Sequence, residues 1–474
     1  MAEADVLVVG AGPNGLSAAV AAARAGYKVL VLEAQPTAGG AARTLELTLP
    51  GFQHDLGSAV HPFAVLSPFF RSLPLEKFGL KWVHPAIPIA HPLPDGTTSI
   101  LCRSLDETAE RLEDDAKAYK WRMRTTVEGF RSVVEELAHG RLPRHPWAMA
   151  VLGIGSLLPS SRIARWFTGQ NARALIAGLA AHSCLPLDKP GTGLVALALA
   201  AAAHMVGWPF PEGGARKITD ALVGCLQSMG GQVETNFTVR SLADLPPARF
   251  VFWDLTPRQL LAIAGDALPG AYRRKLSRYR YGPGVCKLDW ALSDPVPWTS
   301  DACRQAGTLH LGGGFEEIAG SEMEVWRGRL PAQPYVILSQ PTIFDATRAP
   351  SGRHIAWAYC HVPNGCRTSM ANAIEQQVER FAPGFRRLIL ARHELTAPEL
   401  ETYNANLVGG DIAGGLTDIR QMIFRPTAHL YCLPLEGHYL CSSSTPPGPG
   451  VHGMCGYLAT RVALGRGVKL EDEF

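Results

Sequence analysis

The sequence predicts an α/β chain, with a parallel sheet covered by helices interleaved with a second domain of mixed sheet plus helices. Three observations predict it. Residues 4–43 read strand, glycine turn, helix, strand, acid. Helix and strand patterns that fit the same sheet return after residue 212 and again near the C-terminus. Between them lie amphipathic helices and long strands that do not fit it. At 474 residues the chain is also long for one domain.

Asp5 to Val9 is a short apolar run that reads as a buried parallel strand. Gly10-Ala11-Gly12-Pro13-Asn14-Gly15 follows at once, then an alanine-rich helix to Ala25, which Gly26 stops. A second strand, Tyr27 to Leu32, ends on Glu33 and Ala34. Gly10 permits a tight turn, Gly12 lets backbone approach a pyrophosphate, and Gly15 lets the helix pack on the sheet. The helix start offers N–H groups and a positive dipole end to phosphates. Glu33 can accept from a ribose 2′-hydroxyl, and its charge disfavours the 2′-phosphate of NADP. Strand, turn, helix, strand and acid in this order are far more specific than the glycines alone.

Gly39-Gly40-Ala41-Ala42-Arg43-Thr44 comes next. Two glycines allow a second close backbone approach, and an arginine offers a forked charge to a phosphate. This pair resembles the second glycine pair of the glutathione-reductase-like flavoproteins. The resemblance implies a Rossmann-like FAD-binding domain, with Arg43 near the phosphates or ribityl chain.

Composition excludes several classes. A net charge of +3 without a Lys/Arg block argues against nucleic acid as a partner. Ten scattered cysteines contain no C-x-x-C and no metal-ligand spacing, so buried free thiols in a reducing compartment and no metal are expected. The first strand starts so early that no signal peptide is expected, and the expected location is the cytoplasm.

Further along, Gly51-Phe52-Gln53-His54-Asp55-Leu56-Gly57-Ser58 resembles the F-x-x-D-x-G segment of phytoene-desaturase-like flavoproteins. That implies that Gly57 and Ser58 approach the flavin ring. His54 and His61 could face the active site, although single histidines are more often structural than catalytic. Residues 105–138 carry apolar positions at helical spacing, from Leu105 and Leu112 to Val134 and Leu137, and predict one long or broken amphipathic helix. Two apolar runs, 146–159 and 191–210, read as buried helices. The sharper alternative is the wall of an apolar substrate tunnel, one that dips into a membrane surface as a peripheral contact; a transmembrane helix is the least favoured reading.

Pro211 to Gly214 is a turn, followed by a helix to Met229 and strand-like runs 232–235 and 238–242. This order is similar to the return segment of the same flavoproteins, which implies that backbone at Val239 meets the adenine. Phe250 to Asp254 is one more strand of the nucleotide sheet.

Within Tyr281 to Leu292, Val285, Cys286, Leu288 and Trp290 mark an apolar strand that Lys287 interrupts, with Asp289 on the same face. The plain reading is a solvated lysine on an edge strand. The segment also looks like the Gly-x-x-Lys strand of the flavin amine oxidases, which implies a lysine over flavin N5. Such a charge can stabilise a reduced flavin or assist O2 chemistry. Strands within 307–366 then form a sheet that would roof the flavin, and Met370 to Phe381 reads as a helix with Glu375, Glu379 and Arg380 outside.

The chain closes on a strand at Tyr439 and a glycine-rich loop through Gly450-Val451-His452-Gly453-Met454 into a last helix. A glycine loop feeding a helix start is again an anion device. In the flavoproteins this segment returns to the flavin, with backbone N–H groups at its N1–C2=O edge. His452 is a further acid/base candidate near the ring.

The whole sentence resembles the phytoene-dehydrogenase-like FAD oxidoreductases, in the branch of pyridine nucleotide-disulphide oxidoreductase domain-containing proteins, within the amine oxidase and phytoene desaturase superfamily. FAD-domain segments 1–75, 212–280 and 425–474, and substrate-domain segments 76–211 and 281–424, are expected. So is hydride transfer from an organic, apolar substrate to flavin N5, as in a polyene desaturase, isomerase or dehydrogenase. An amine or amino-acid oxidase, with Tyr457 in an aromatic cage, and a non-catalytic flavin scaffold are the alternatives. With one dinucleotide signature only, O2 or a quinone is the expected electron acceptor. The sequence leaves the substrate and the oligomeric state open.

Overall fold

The structure, a computed structural model, describes residues 4–138 and 157–465. Residues 146–156 of the first apolar run and residues 466–474 of the last segment lie outside the described residues.

Five parallel strands form the nucleotide sheet, in the order His438–Leu440, Phe250–Trp253, Val6–Val9, Val29–Leu32 and Gln232–Glu234. Alternation divides their side chains between two cores. Val6, Val8, Val29, Val31 and Phe252 pack under the helices Pro13–Arg24, Arg216–Ser228 and Met454–Leu464. Leu7, Val9, Leu30, Leu32 and Trp253 pack on the opposite face against Leu260, Tyr272 and Leu276. Strands covered on both faces explain why these runs are almost unbroken in apolar residues. The architecture is Rossmann-like α/β, as the first βαβ unit predicts.

The second sheet has seven strands, in the order Ile389–Leu395, Gly284–Leu292, His354–Val362, Val336–Ser339, Ala306–Leu311, Ile87–Pro92 and Thr98–Leu101. It is mixed: all neighbours are antiparallel except Ala306–Leu311 beside Ile87–Pro92. One face, with Leu288, Trp290, Leu338 and Ala358, is covered by the helix Ala371–Phe381. The other face carries Lys287, Asp289, Trp357 and Tyr359 and turns toward the nucleotide domain.

Three sequence readings need correction, those for residues 238–242, Glu375 and the edge-strand alternative for Lys287, while the two helical stretches, 105–138 and 191–210, are helices as read. Residues 238–242 are not a ladder strand; after Gln232–Glu234 the chain runs extended and then turns into a 3-10 turn at Leu242–Asp244. Glu375 is buried rather than outside, because it accepts from Trp290 Nε1 at 3.3 Å and from Arg392 Nη1 at 2.8 Å. Lys287 is on an interior strand, flanked on both sides, so the edge-strand reading fails. The amphipathic stretch is broken into Leu105–Glu110 and Ala116–Ala138 by a 3-10 turn at Glu113–Asp115. Residues 191–210 form a helix only over Thr192–Val206, packed among other helices. Among the described residues no helix is long and apolar enough to cross a membrane.

The last helix closes the fold on the first. A Cβ added at Gly456 would lie 1.9 Å from Asn14 O. Thr460 Oγ1 donates to Ala18 O at 3.3 Å one turn later. Gly456→Ala gains about 1 kcal/mol of helix propensity. Prying the two helices apart costs about 1–3 kcal/mol, so the clash should prevail. The variant is expected to melt at a lower temperature than wild type; an equal or higher melting temperature by calorimetry would contradict the close approach.

Candidate active site

A cavity of about 550 Å3 runs from the first glycine turn to the seven-stranded sheet. At the nucleotide end, Gly10, Gly12, Pro13 and Asn14 form its wall, with Glu33 and Ala34 at the end of the second strand. Gly15 stands behind the wall. A Cβ there would fall 2.1 Å from Gly10 O, so its absence lets helix and turn meet. Glu33 is fixed on several sides. Its carboxylate accepts from Ala11 N–H at 2.8 Å and Gln35 N–H at 2.9 Å, and pairs with Arg43 at 3.3 Å.

Gly40, Arg43, Gly57 and Ser58 also face the cavity. A Cβ at Gly40 would lie 2.9 Å from Gly12 Cα, and one at Gly57 2.1 Å from Ala41 O. Arg43 donates to Thr37 O at 2.7 Å and lies 5.2 Å from the Tyr403 ring centroid. Gly39 lies behind, where its missing Cβ leaves room for the Arg43 side chain. Thr44 points away and donates to Asp55 Oδ1 at 2.7 Å. Val239 lines the cavity from the extended run.

The closing loop reaches the cavity with Gly450 and Val451. His452, Gly453 and Met454 lie behind that wall. His452 Nδ1 accepts from Met454 N–H at 3.0 Å, and its carbonyl accepts from Ser67 Oγ at 2.6 Å. Burial pushes the imidazole down to about 4. The ring thus serves the start of the last helix, and nothing in its position supports the acid/base role expected of it. Tyr457 is likewise remote, stacked on Phe69 at 5.0 Å in the helical core, so it cannot wall a substrate cage.

At the other end Lys287 lines the cavity and is 3% exposed. Its Nζ donates to Asp289 Oδ2 at 2.5 Å and sits 5.8 Å from the Trp357 ring centroid. Asp289 is fully buried. Burial alone would raise its carboxyl, but Lys287, with His393 and His54 facing it, holds it below the ordinary carboxylate range. His54 lies 3.6 Å from Asp289 Oδ1 and bonds Thr48 Oγ1 at 2.8 Å. The half-exposed His393 approaches Asp289 Oδ2 at 3.9 Å.

Sequence reading missed much of this wall. Trp357 and Tyr359 present parallel rings 5.8 Å apart, and His182, Trp208 and Ile337 complete the apolar end. Two of these follow from strand periodicity, since Trp357 and Tyr359 alternate on one face of His354–Val362. Trp208 and Ile337 fall in runs read as a tunnel wall and a flavin roof, but no local pattern singles out either of them or His182. His61 also lines the cavity, with both ring nitrogens buried and unpartnered, and burial pushes it down to about 4. Asp254, at the end of its strand, lies in the nucleotide-end wall and accepts from Gly15 N–H at 3.0 Å.

Comparison with known proteins agrees with this architecture. Residues 8–73 match the model of the NAD(P)-binding Rossmann-like domain. The chain is 27% identical to pyridine nucleotide-disulfide oxidoreductase domain-containing protein 2 of Rattus norvegicus, over 98% of this chain and 93% of that one. It is 26% identical to phytoene dehydrogenase of Streptomyces griseus, over 82% of this chain and 78% of that one. The fold is shared with a putrescine oxidase, solved with putrescine bound, at a TM-score of 0.63 and 16% identity, covering 97% and 98% of the two chains. The chain is thus similar in sequence to a phytoene dehydrogenase and in fold to an amine oxidase, in keeping with the resemblance read from the sequence.

The Lys287–Asp289 pair has a measurable consequence. Asp289→Asn leaves a buried ammonium without its counter-charge, which costs about 3–5 kcal/mol. The double variant Lys287→Met/Asp289→Asn should recover most of that loss. Because the native Asp289 carboxyl is held low, the pair's contribution is fully present above about pH 4 and is lost as pH falls through the native value. Denaturation curves at pH 7 and pH 3 check this: a D289N penalty of the same size at both would refute it.

Proposed function

We propose that the protein is an FAD-dependent oxidoreductase that takes a hydride from a C–H of an apolar organic substrate. Polyene- or carotenoid-type desaturation, dehydrogenation or isomerisation is the reaction class. The observation that carries the reading is one continuous cavity. It joins a glycine-lined nucleotide end to an aromatic end holding a buried lysine. The phytoene dehydrogenase relative supports the choice of substrate class.

The residues present fit FAD. Gly12, Gly40 and Gly57 form a cradle whose close backbone contacts added Cβ atoms would break. Asn14 Oδ1, Arg43 Nε and Ser58 Oγ are buried in it without hydrogen-bond partners. In this reading Glu33 holds the adenosine ribose, Val239 meets the adenine, and Gly450 and Val451 present backbone to the flavin. FAD, when bound, supplies the hydride acceptor that no side chain of the cavity provides.

The chain's own groups do the remaining work. Trp208, Ile337, Trp357 and Tyr359 exclude water and orient an apolar substrate, which positions its reacting carbon. His61, neutral at pH 7, offers a hydrogen bond there without bringing a charge into an apolar space. Lys287 holds a proton at Nζ, pinned by Asp289, where negative charge develops during reduction or reoxidation. O2 or a quinone serves as the electron acceptor.

A second reading is favoured by one observation. Lys287 beside the parallel rings of Trp357 and Tyr359 would also suit oxidation of an amine or amino acid by O2.

The purified protein is expected to be yellow and to bind one FAD. An anaerobic screen of amines, amino acids, retinoids and carotenoids should find flavin bleaching in the apolar classes; bleaching by amines alone would select the second reading, and none at all a non-catalytic scaffold. Lys287→Met should retain FAD and slow turnover or reoxidation by about a hundredfold. Unchanged stopped-flow kinetics would remove the lysine from the mechanism.

A further inference from the structure

Asp254 occupies a place where a carboxylate is out of keeping with its surroundings. Its strand, Phe250–Trp253, lies beside Val6–Val9, and its own N–H donates to Val9 O at 2.8 Å. This delivers the side chain onto the start of the helix Pro13–Arg24. Oδ2 accepts from Gly15 N–H at 3.0 Å, and a Cβ on Gly12 would lie 2.6 Å from the same oxygen. The carboxylate therefore sits on the helix start that suits an entering phosphate. It is 7% exposed and forms part of the cavity wall. Beside it Asn14 Oδ1 is buried without a partner.

The charges around it are one-sided. Glu33 faces Asp254 from the end of the second strand and raises it. Cys441, after the strand His438–Leu440, and Cys455, in the last helix, face it as thiols that burial pushes up and keeps neutral. Arg43 spends its Nη2 on Glu33 and Thr37 O, and its Nε is left for the cofactor. Two carboxylates thus share the nucleotide end with one cation, which pairs with Glu33 rather than Asp254, and a pyrophosphate brings further negative charge.

We propose that Asp254 meets the pyrophosphate of FAD as a neutral acid, so that loading the cofactor takes up one proton from solvent. The proposal rests on the FAD reading above. Burial, with Glu33 added, already raises the carboxyl to about 7 against the pull of the Gly15 and Gly12 N–H groups. Phosphate charge pushes it further the same way. Once protonated, the side chain still accepts from Gly15 N–H through one oxygen. The other becomes a donor for a phosphate oxygen, which a carboxylate cannot be.

The test is calorimetric titration of flavin-free protein with FAD in two buffers of different ionisation enthalpy. At pH 8 uptake approaching one proton per FAD is expected. Affinity should fall about tenfold for each pH unit between 7.5 and 9. Asp254→Asn should bind FAD with no uptake and a flat pH dependence. FAD binding by wild type without proton uptake would overturn the proposal, as would uptake that persists in Asp254→Asn. Wild-type calorimetry decides by itself if that variant does not fold. Protein that takes no FAD at any pH would instead end the FAD reading, and this inference with it.

Discussion

Backbone must come against backbone around residues 10–15, and no side chain fits between. The turn at Gly10 meets the helix at Gly15, the second glycine pair meets Gly12 Cα, and the last helix meets Asn14 O. These contacts join residues far apart in sequence. They fix the interleaved path of the chain, because the strand His438–Leu440 must enter the sheet before the last helix can lie on the first. They also place Gly450 and Val451 at the cavity. A larger residue at any of these points would separate segments whose cores, on both faces of the sheet, depend on close approach.

The second sheet answers a different demand. It must carry a charge inward on a strand that is apolar on its other face. Lys287 and Asp289 alternate with Cys286, Leu288 and Trp290, so the pleat sends the pair to the cavity and the rest to the helix Ala371–Phe381. Two residues apart on one strand face, the ammonium and the carboxylate neutralise each other over 2.5 Å. A pair like this adds little stability relative to apolar residues. Its presence at the cavity wall is the physical reason to look for its role in chemistry.

The nucleotide end was the most legible part of the sequence, because its requirements are local. A strand, a glycine turn and an acid occur within thirty residues, and each has one mechanical reading. Lys287 was legible too, since it breaks an apolar strand. His452 misled for the same reason that it stood out. A histidine in a glycine loop before a helix is equally suited to receiving the helix's first N–H groups, and that is where its Nδ1 is spent. Residues 238–242 misled because β-branched residues read as strand, yet the sheet already ends at Gln232–Glu234. His182, Trp208 and Ile337 come from a helix end, a turn and a strand with no shared pattern. Only the tertiary fold gathers them, so no period in the sequence announces the substrate end.

The two ends of the cavity handle charge in opposite ways, and this bears on what each can bind. At the aromatic end the ammonium is cancelled by a carboxylate of its own strand, leaving an almost neutral wall of rings in which Lys287 and the neutral His61 are polar handles. That end accepts an uncharged body and can supply one proton or one positive charge locally. At the nucleotide end acids outnumber cations, and attraction for phosphate falls to backbone N–H groups and a helix start. Backbone donors cannot change their charge, so a carboxyl among them is the element there that can adjust. The chain's fixed geometry thus comes from its glycines, while its response to what binds is left to the few titratable groups that the glycines bring into contact.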